Sequence, residues 1–313
     1  MKKTWRFCVI IGILLFIISG CAGETGSRQD ESQPVAAADA EDTVDTENGA
    51  DAEGATDVKD ESDVKDCAFK ATFLDTGKSD CIIMEMGDAV VVNDTADADD
   101  AADICAFLDE RGVERIEYLI LSHFDKDHIG SAAALLSKYD VGCVLMPDHE
   151  EDSEPYLMLT QALAQTGAEE RRLVEDYSFT LAGIVFTVDA PEEVFYDDDN
   201  NYSLITTVTC GETRLLLMGD ALKKRTGEFL DSDAGEERYD LIKMPHHGDY
   251  NKKLSELFAL ARPEYVILTA GEERTRVEDK TIELLEKSGC QAFYTDEGTV
   301  TALSDGRTVT VMQ

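Results

Sequence analysis

Positive charge is what this 313-residue sequence has least of: 28 Lys and Arg stand against 66 Asp and Glu, a formal net charge of −38. Long nucleic acids are held by neutralising their phosphates with basic side chains, so this balance disfavours them as partners. Tryptophan is nearly absent too. The one present, Trp5, lies at the N-terminus, which leaves base-stacking surfaces to Tyr, Phe and His. The longest apolar run, residues 7–19, falls short of the roughly 20 residues of a membrane-spanning helix. None of the eight cysteines forms a C-x-x-C pair, and no short-period repeat of solenoid type is present. Most cysteines after residue 66 sit in apolar runs such as "DICAFL" and "GCVLM" and read as small buried hydrophobes.

What is there divides into three parts. "MKKTWRFCVIIGILLFIISGC" has a basic start (Lys2, Lys3, Arg6), a short apolar run and small residues, the pattern of an export signal. An uncleaved anchor helix is the competing reading. The ending "ISGC" resembles a bacterial lipobox, which makes 1–20 a lipoprotein signal peptide and Cys21 the lipidated residue. The expected location is extracytoplasmic, lipid-anchored to the cell membrane and not spanning it. Residues 21–66 hold no aromatic and no hydrophobic periodicity, and read as a self-repelling, disordered acidic linker. Residues 67–313 are expected to form one domain. The signal carries +3 and the linker −12, which leaves −29 on that domain.

Within the domain, apolar runs alternate with helical patterns. "AFKATFLD", "CIIMEM" and "AVVVND" read as an opening meander, followed by β/α alternation from "DADDAADICAFLDERG" to "PYLMLTQALAQTG". "SFTLAGIVFTV", "YSLITTVTC" and "TRLLLMG" form a second meander. A second β/α alternation follows, and short strands "AFYT", "TVTAL" and "TVTVM" close the chain. The expected class is α/β, two sheets with helices on their outer faces in an αββα sandwich.

Histidine is scarce, and its placement is informative. Four of the five histidines fall in two clusters, "LSHFDKDHIG" (His123, His128) and "KMPHHGD" (His246, His247), each just after a buried strand. Loops at strand ends are where sites are displayed. With Asp125 and Asp127 beside them, these histidines form an N/O set suited to a divalent metal. His149, in the charged loop "PDHEED", reads as an ordinary satisfied histidine. Asp220, ending "LLLMGD", is either the N-cap of the next helix or a further ligand.

Taken in order, "HFDKDH", "LLLMGD" and "KMPHHG" resemble the metallo-β-lactamase fold superfamily, and within it the C-terminal hydrolase-like domain of the competence protein ComEC and its stand-alone relatives. "FLDTGKSDCIIM" is similar to that family's opening "FLDVGQGDAILI", and "NNYSLI" to its "NDxSLV". The resemblance covers residues 69–311 and implies a four-layer fold with two divalent ions, zinc or manganese. It implies that His123 and Asp125 serve one ion, that Asp127 and His128 serve the other, and that Asp220 bridges them. One of His246 and His247 completes the shell and the other stands near the substrate; Asp127 and His247 are the implied catalytic residues. Asp94 orients the cluster loop, Asp75 and Asp80 line the same edge, and Asn200 or Asn201 stands where many members have a third histidine. Lys78, Ser79, Ala96 and Asp249 depart from the family's usual residues, and "TRVEDKT" replaces its late "GHP". Asp125, where the superfamily's "HxHxDH" has histidine, makes the site harder and shifts it toward manganese or mixed occupancy.

The function this implies is hydrolysis of a phosphodiester or related ester by a metal-activated hydroxide, on small or short substrates given the acidity. The alternatives are a β-lactam or cyclic amide hydrolase, and a non-catalytic surface lipoprotein that binds metal or ligand. Oligomeric state is open.

Overall fold

The computed structural model describes residues 69–269 and 277–313, all within the compact unit Asp57–Gln313. The signal, Cys21, the linker and Cys67 lie outside the described residues, as do Thr275 and Arg276 of "TRVEDKT".

Strands β1 (Phe69–Phe73), β2 (Ile82–Met86) and β3 (Ala89–Asn93) form the expected antiparallel meander. Then β4 (Arg115–Ile120), β5 (Asp140–Pro147) and β6 (Glu169–Leu173) add in parallel. Helices α1 (Ala101–Glu110), α2 (Lys126–Ile129), α3 (Ala132–Lys138) and α4 (Glu154–Thr166) connect them. The second sheet repeats the plan. Antiparallel β7 (Tyr177–Leu181), β8 (Ile184–Asp189), β9 (Ile205–Cys210) and β10 (Thr213–Leu217) lead to parallel β11 (Leu241–Lys243), β12 (Tyr265–Leu268) and β13 (Gln291–Tyr294). Helices α5 (Lys223–Asp231), α6 (Leu254–Ala261) and α7 (Asp279–Ser288) belong to this half.

Side-chain alternation makes the layers. In β2, Ile82, Met84 and Met86 enter the core between the sheets, while Ile83 joins a second core under α1, α3 and α4. In β10, Leu215 and Leu217 face the inter-sheet core and Leu216 faces a third core with α5, α6 and α7. Three cores separate four layers, the expected αββα arrangement.

Two features differ from the sequence expectation. Strand β6, "EERRL", has no apolar run to mark it; it is an edge strand whose exposed charges discourage pairing with other chains. The closing strands do not stay together: β13 joins the second sheet, whereas β14 (Val300–Ser304) and β15 (Val309–Met312) return to the first, with β14 antiparallel to β1. Among the described cysteines, Cys81 and Cys143 are buried thiols without a disulfide. No helix of the described residues is long and apolar enough to cross a membrane.

Candidate metal centre

The polar clusters converge at the C-terminal ends of the parallel strands of both sheets, where α/β sheets place ligands. Asp94 follows β3, and His123 follows β4. Asp127 and His128 ride on α2. Asp220 follows β10, His246 and His247 follow β11, and Thr269 follows β12. Local backbone is strained to achieve this. Six described non-glycine residues have positive φ, and four are here: Asp94 (59°), Ala96 (53°), His246 (47°) and His247 (55°). Such conformations cost of order 1–3 kcal/mol each and cluster at functional sites. The strain at Ala96 also explains why glycine is usual there. Gly219 (φ 51°) must be glycine for a second reason: a Cβ would lie 2.8 Å from Ser122 Cβ, blocking the approach that brings Asp220 to the histidines.

Hydrogen-bond counting fixes how the histidines point. Asp94 accepts from Ser122 N (2.7 Å) and Ser122 Oγ (2.8 Å), and its Oδ2 lies 3.0 Å from His128 Nδ1. A carboxylate only accepts, so His128 carries its hydrogen on Nδ1. Ser122 gives its single hydrogen to Asp94, so its oxygen accepts from His123 Nδ1 at 3.1 Å. Thr269 Oγ1 donates to Asp80 Oδ1 at 2.6 Å and therefore accepts from His247 Nδ1 at 3.0 Å. All three rings thus turn Nε2 inward.

Those three Nε2 atoms and Asp220 Oδ1 are buried without a hydrogen-bond partner. His128 Nε2 lies 3.2 Å from Asp220 Oδ1, and His247 Nε2 lies 3.3 Å from Asp220 Oδ2 and 3.5 Å from Asp127 Oδ2, close contacts not aligned as hydrogen bonds. Two adjoining constellations result, His123–His128–Asp220 and Asp127–His128–His247, each with ligand atoms within 4.8 Å of one another. Orphaned buried nitrogens around a buried carboxylate fit a divalent cation.

Electrostatics point the same way. Burial opposes charge on His247, but Asp220 and Asp80 outweigh it and lift the ring to about 10. Burial is likewise outweighed at His128 by Asp220 and Asp94, which push it well above its ordinary value. Asp220 is held well below the carboxylate range by His128 and His247 despite its burial. Asp127, also against burial, is drawn down to about 2 by His247 and His128. In the absence of a cation, the carboxylates draw protons into the place a metal would fill.

The other expected residues are placed as follows. Asp125 stands at the rim, Oδ2 3.5 Å from His123 Nε2; it precedes α2 without capping it, and the neighbouring His123 ring lowers its pKa. Of the histidine pair, His247 is buried, and His246 is partly open, with Nε2 3.9 Å from Asp220 Oδ2 and Nδ1 3.3 Å from Asp249. Asp220 is not a helix cap, since the N-cap of α5 is Leu222. Asp75 is exposed, and its backbone is bonded to Thr299. Asn201 Oδ1 accepts from Arg225 N, and among the described residues no hydrogen bond or ion pair joins Asn200 or Asn201 to the three buried histidines. His149 is separate, stacked on Tyr202 at 3.9 Å.

Four residues that hold the centre were not singled out from sequence: Ser122, Ser203, Lys243 and Thr269. Ser203 Oγ accepts from Asp220 N at 3.0 Å. Lys243 is fully buried and ion-paired to Asp80; a lysine inside the apolar run "DLIKM" was the available signal.

A family-model comparison matches residues 74–271 to the metallo-beta-lactamase superfamily, and the chain belongs to it. It is 26% identical over 197 residues to ComE operon protein 3 of Bacillus subtilis (strain 168), covering 62% of this chain and 25% of that protein. It is 27% identical over 169 residues to Recombination protein 2 of Haemophilus influenzae, covering 54% of this chain and 19% of that one. The chain thus spans about a quarter or less of the length of these relatives. Among solved structures, the metallo-beta-lactamase fold protein YhfI from Bacillus subtilis superposes with a TM-score of 0.50 at 13% identity, over 74% of this chain and 98% of that one, a likeness of fold.

Proposed function

We propose that this protein is a metal-dependent hydrolase of phosphodiesters or related esters, held outside the cytoplasm by a lipid on Cys21. The observation that carries the hydrolytic reading is the convergence of three bare, buried Nε2 atoms on Asp220, a carboxylate placed between two ligand groups. In this reading His123 and Asp125 serve one ion, Asp127, His128 and His247 serve the other, and Asp220 serves both. Two divalent ions, zinc or manganese, would supply Lewis acidity and a water of lowered pKa. The chain's own residues do the rest. Asp94, Ser122 and Thr269 fix the rings, so little reorganisation accompanies reaction. His246, at the rim, is placed to hydrogen-bond a substrate oxygen.

Substrate size follows from the surroundings. A cavity of about 680 Å³ adjoins the centre and is lined by Asp97, Asp125, Asp127, Glu151 and Glu154. Its single basic side chain, Lys126, is engaged by Asp97 at 3.0 Å. Within this cavity a polyanion would meet repulsion except at the metals, which favours small or short substrates. Pro155 and Met158 offer one apolar wall for a leaving group.

The test is turnover of bis(p-nitrophenyl) phosphate by the protein loaded with Mn²⁺ or Zn²⁺. Cleavage by the parent and none by Asp220→Ala supports the reading; equal rates in both refute it, and preferential turnover of nitrocefin would reassign the substrate to a cyclic amide. Incorporation of labelled fatty acid in cells, abolished by Cys21→Ser, tests the anchor.

A further inference from the structure

The three buried histidines are not all held by the same supports. His123 and His128 both lean on Asp94, directly or through Ser122. His247 has no contact with Asp94 among the described hydrogen bonds and ion pairs. Its Nδ1 meets Thr269 Oγ1 at 3.0 Å and Asp80 Oδ1 at 3.4 Å, and Thr269 itself donates to that same Asp80 oxygen. The other oxygen of Asp80 is gripped by the Lys243 ammonium. Lys243 Nζ also lies 3.4 Å from Gly219 O and 4.0 Å from Asp220 Oδ1. The aligned path is therefore Lys243, Asp80, Thr269, His247.

Each link has a direction. An ammonium donates and a carboxylate accepts, so Lys243 anchors Asp80 Oδ2 and leaves Oδ1 facing Thr269. The threonine hydroxyl, its hydrogen committed to Asp80, can only accept from His247. His247 is thereby locked with Nε2 toward Asp127 and Asp220. Asp80 comes from the first sheet and the other three from the second, so the path also ties the sheets together at the site. Lys243 and Thr269 are fully buried or nearly so, at 0% and 1% exposed, so solvent cannot replace either contact.

We propose that Lys243 and Thr269 are positioning residues for one metal position only, the one on the Asp127–His247 side. This rests on the two-ion reading above. The position at His123 and Asp125 keeps its own support in Asp94 and Ser122. Loss of an outer partner of a ligating histidine costs about 10–100-fold in metal affinity. The cost should fall on one ion and spare the other.

The experiment is titration of Co²⁺ into the metal-stripped protein, followed by its absorption bands and by elemental analysis. The parent is expected to bind two ions per chain. Lys243→Met and Thr269→Val are expected to keep one ion at parental affinity and weaken the other about 10–100-fold. Thr269→Ser, which restores the hydroxyl, is expected to recover the second ion. If Lys243→Met does not fold, the Thr269 pair carries the test. Parental binding of both ions by Thr269→Val overturns the proposal. So does equal weakening of both ions, or no rescue by serine, which would mark general structural damage. A parent that binds fewer than two ions defeats the two-ion reading instead, and that result is visible before any variant is made.

Discussion

On the first sheet, one short loop supplies His123, Asp125, Asp127 and His128, and a single carboxylate, Asp94, orients the buried rings. On the second sheet, Asp220 and His247 arrive from separate strand ends and depend on Ser203, Thr269, Asp80 and Lys243. The first side is set by local chain geometry. The second is set by the register of three parallel strands, in which Leu217 pairs with Lys243 and Lys243 with Ile267. A one-residue slip there would turn Lys243 away from Asp80. One side of the centre is a property of a peptide, and the other a property of the sheet.

The largest effect should come from the residue both sides share. Asp220→Ala should lose both ions and lower activity by more than the roughly 100-fold upper range for an outer support; a variant that keeps one ion tightly bound would break the symmetry assumed for Asp220. Next is Asp94→Asn, which puts an amide against the Ser122 and His128 donors. It should weaken both ions by about 10–100-fold, one through Ser122 and His123 and the other through His128, whereas Thr269→Val weakens only the ion that His247 serves. Metal titrations of the two variants side by side measure how separate the halves are.

A pH comparison comes third. His247 is raised from 6.5 to about 10, so the stability it lends the metal-free protein is full below pH 6.5 and lost as pH rises through 10. Metal binding should follow the opposite course, strengthening as pH rises and the competing protons leave. Melting temperatures in chelator and in excess Mn²⁺ should therefore diverge from pH 6 to pH 10. Parallel curves would show that His247 does not exchange a proton for a metal. The smallest effect lies away from the centre, at the β7–β8 hairpin. Ala182 is held at φ 49° beside Gly183 at 82°, a turn suited to Asn-Gly. Ala182→Asn should raise stability by about 1 kcal/mol in chemical denaturation without changing metal affinity. Strain at His246 and His247 serves the site; strain at Ala182 serves nothing in the structure.

The same contrast explains what could be read from the sequence. "LSHFDKDHIG" displays its ligand types within ten residues, and the apolar runs before each cluster mark the strands that carry them. The meander and alternation pattern is strong enough to give four layers. Lys243 and Thr269 were missed because their roles exist only after the two sheets pack together, bringing Asp80 from a position 163 residues away from Lys243. The bonds of Asp75 to Thr299 and of Asn201 to Arg225 were equally invisible, since adjacency to a motif does not fix where a side chain points. Strand β6 escaped because charge pattern, not hydrophobicity, shapes an exposed edge.

The return of β14 to β1 has a consequence for how the molecule is made. During synthesis every ligand from His123 to His247 emerges before residues 300–304, which pair along the outer edge of β1 in register from Phe69↔Ser304 to Phe73↔Val300. Until then the first sheet ends in an open row of backbone donors and acceptors, a template for other chains. A ribosome-bound or C-terminally truncated chain would hold a full set of metal ligands on a half-built sheet, and the last strands cover β1 and move the open edge outward to the short strand β15.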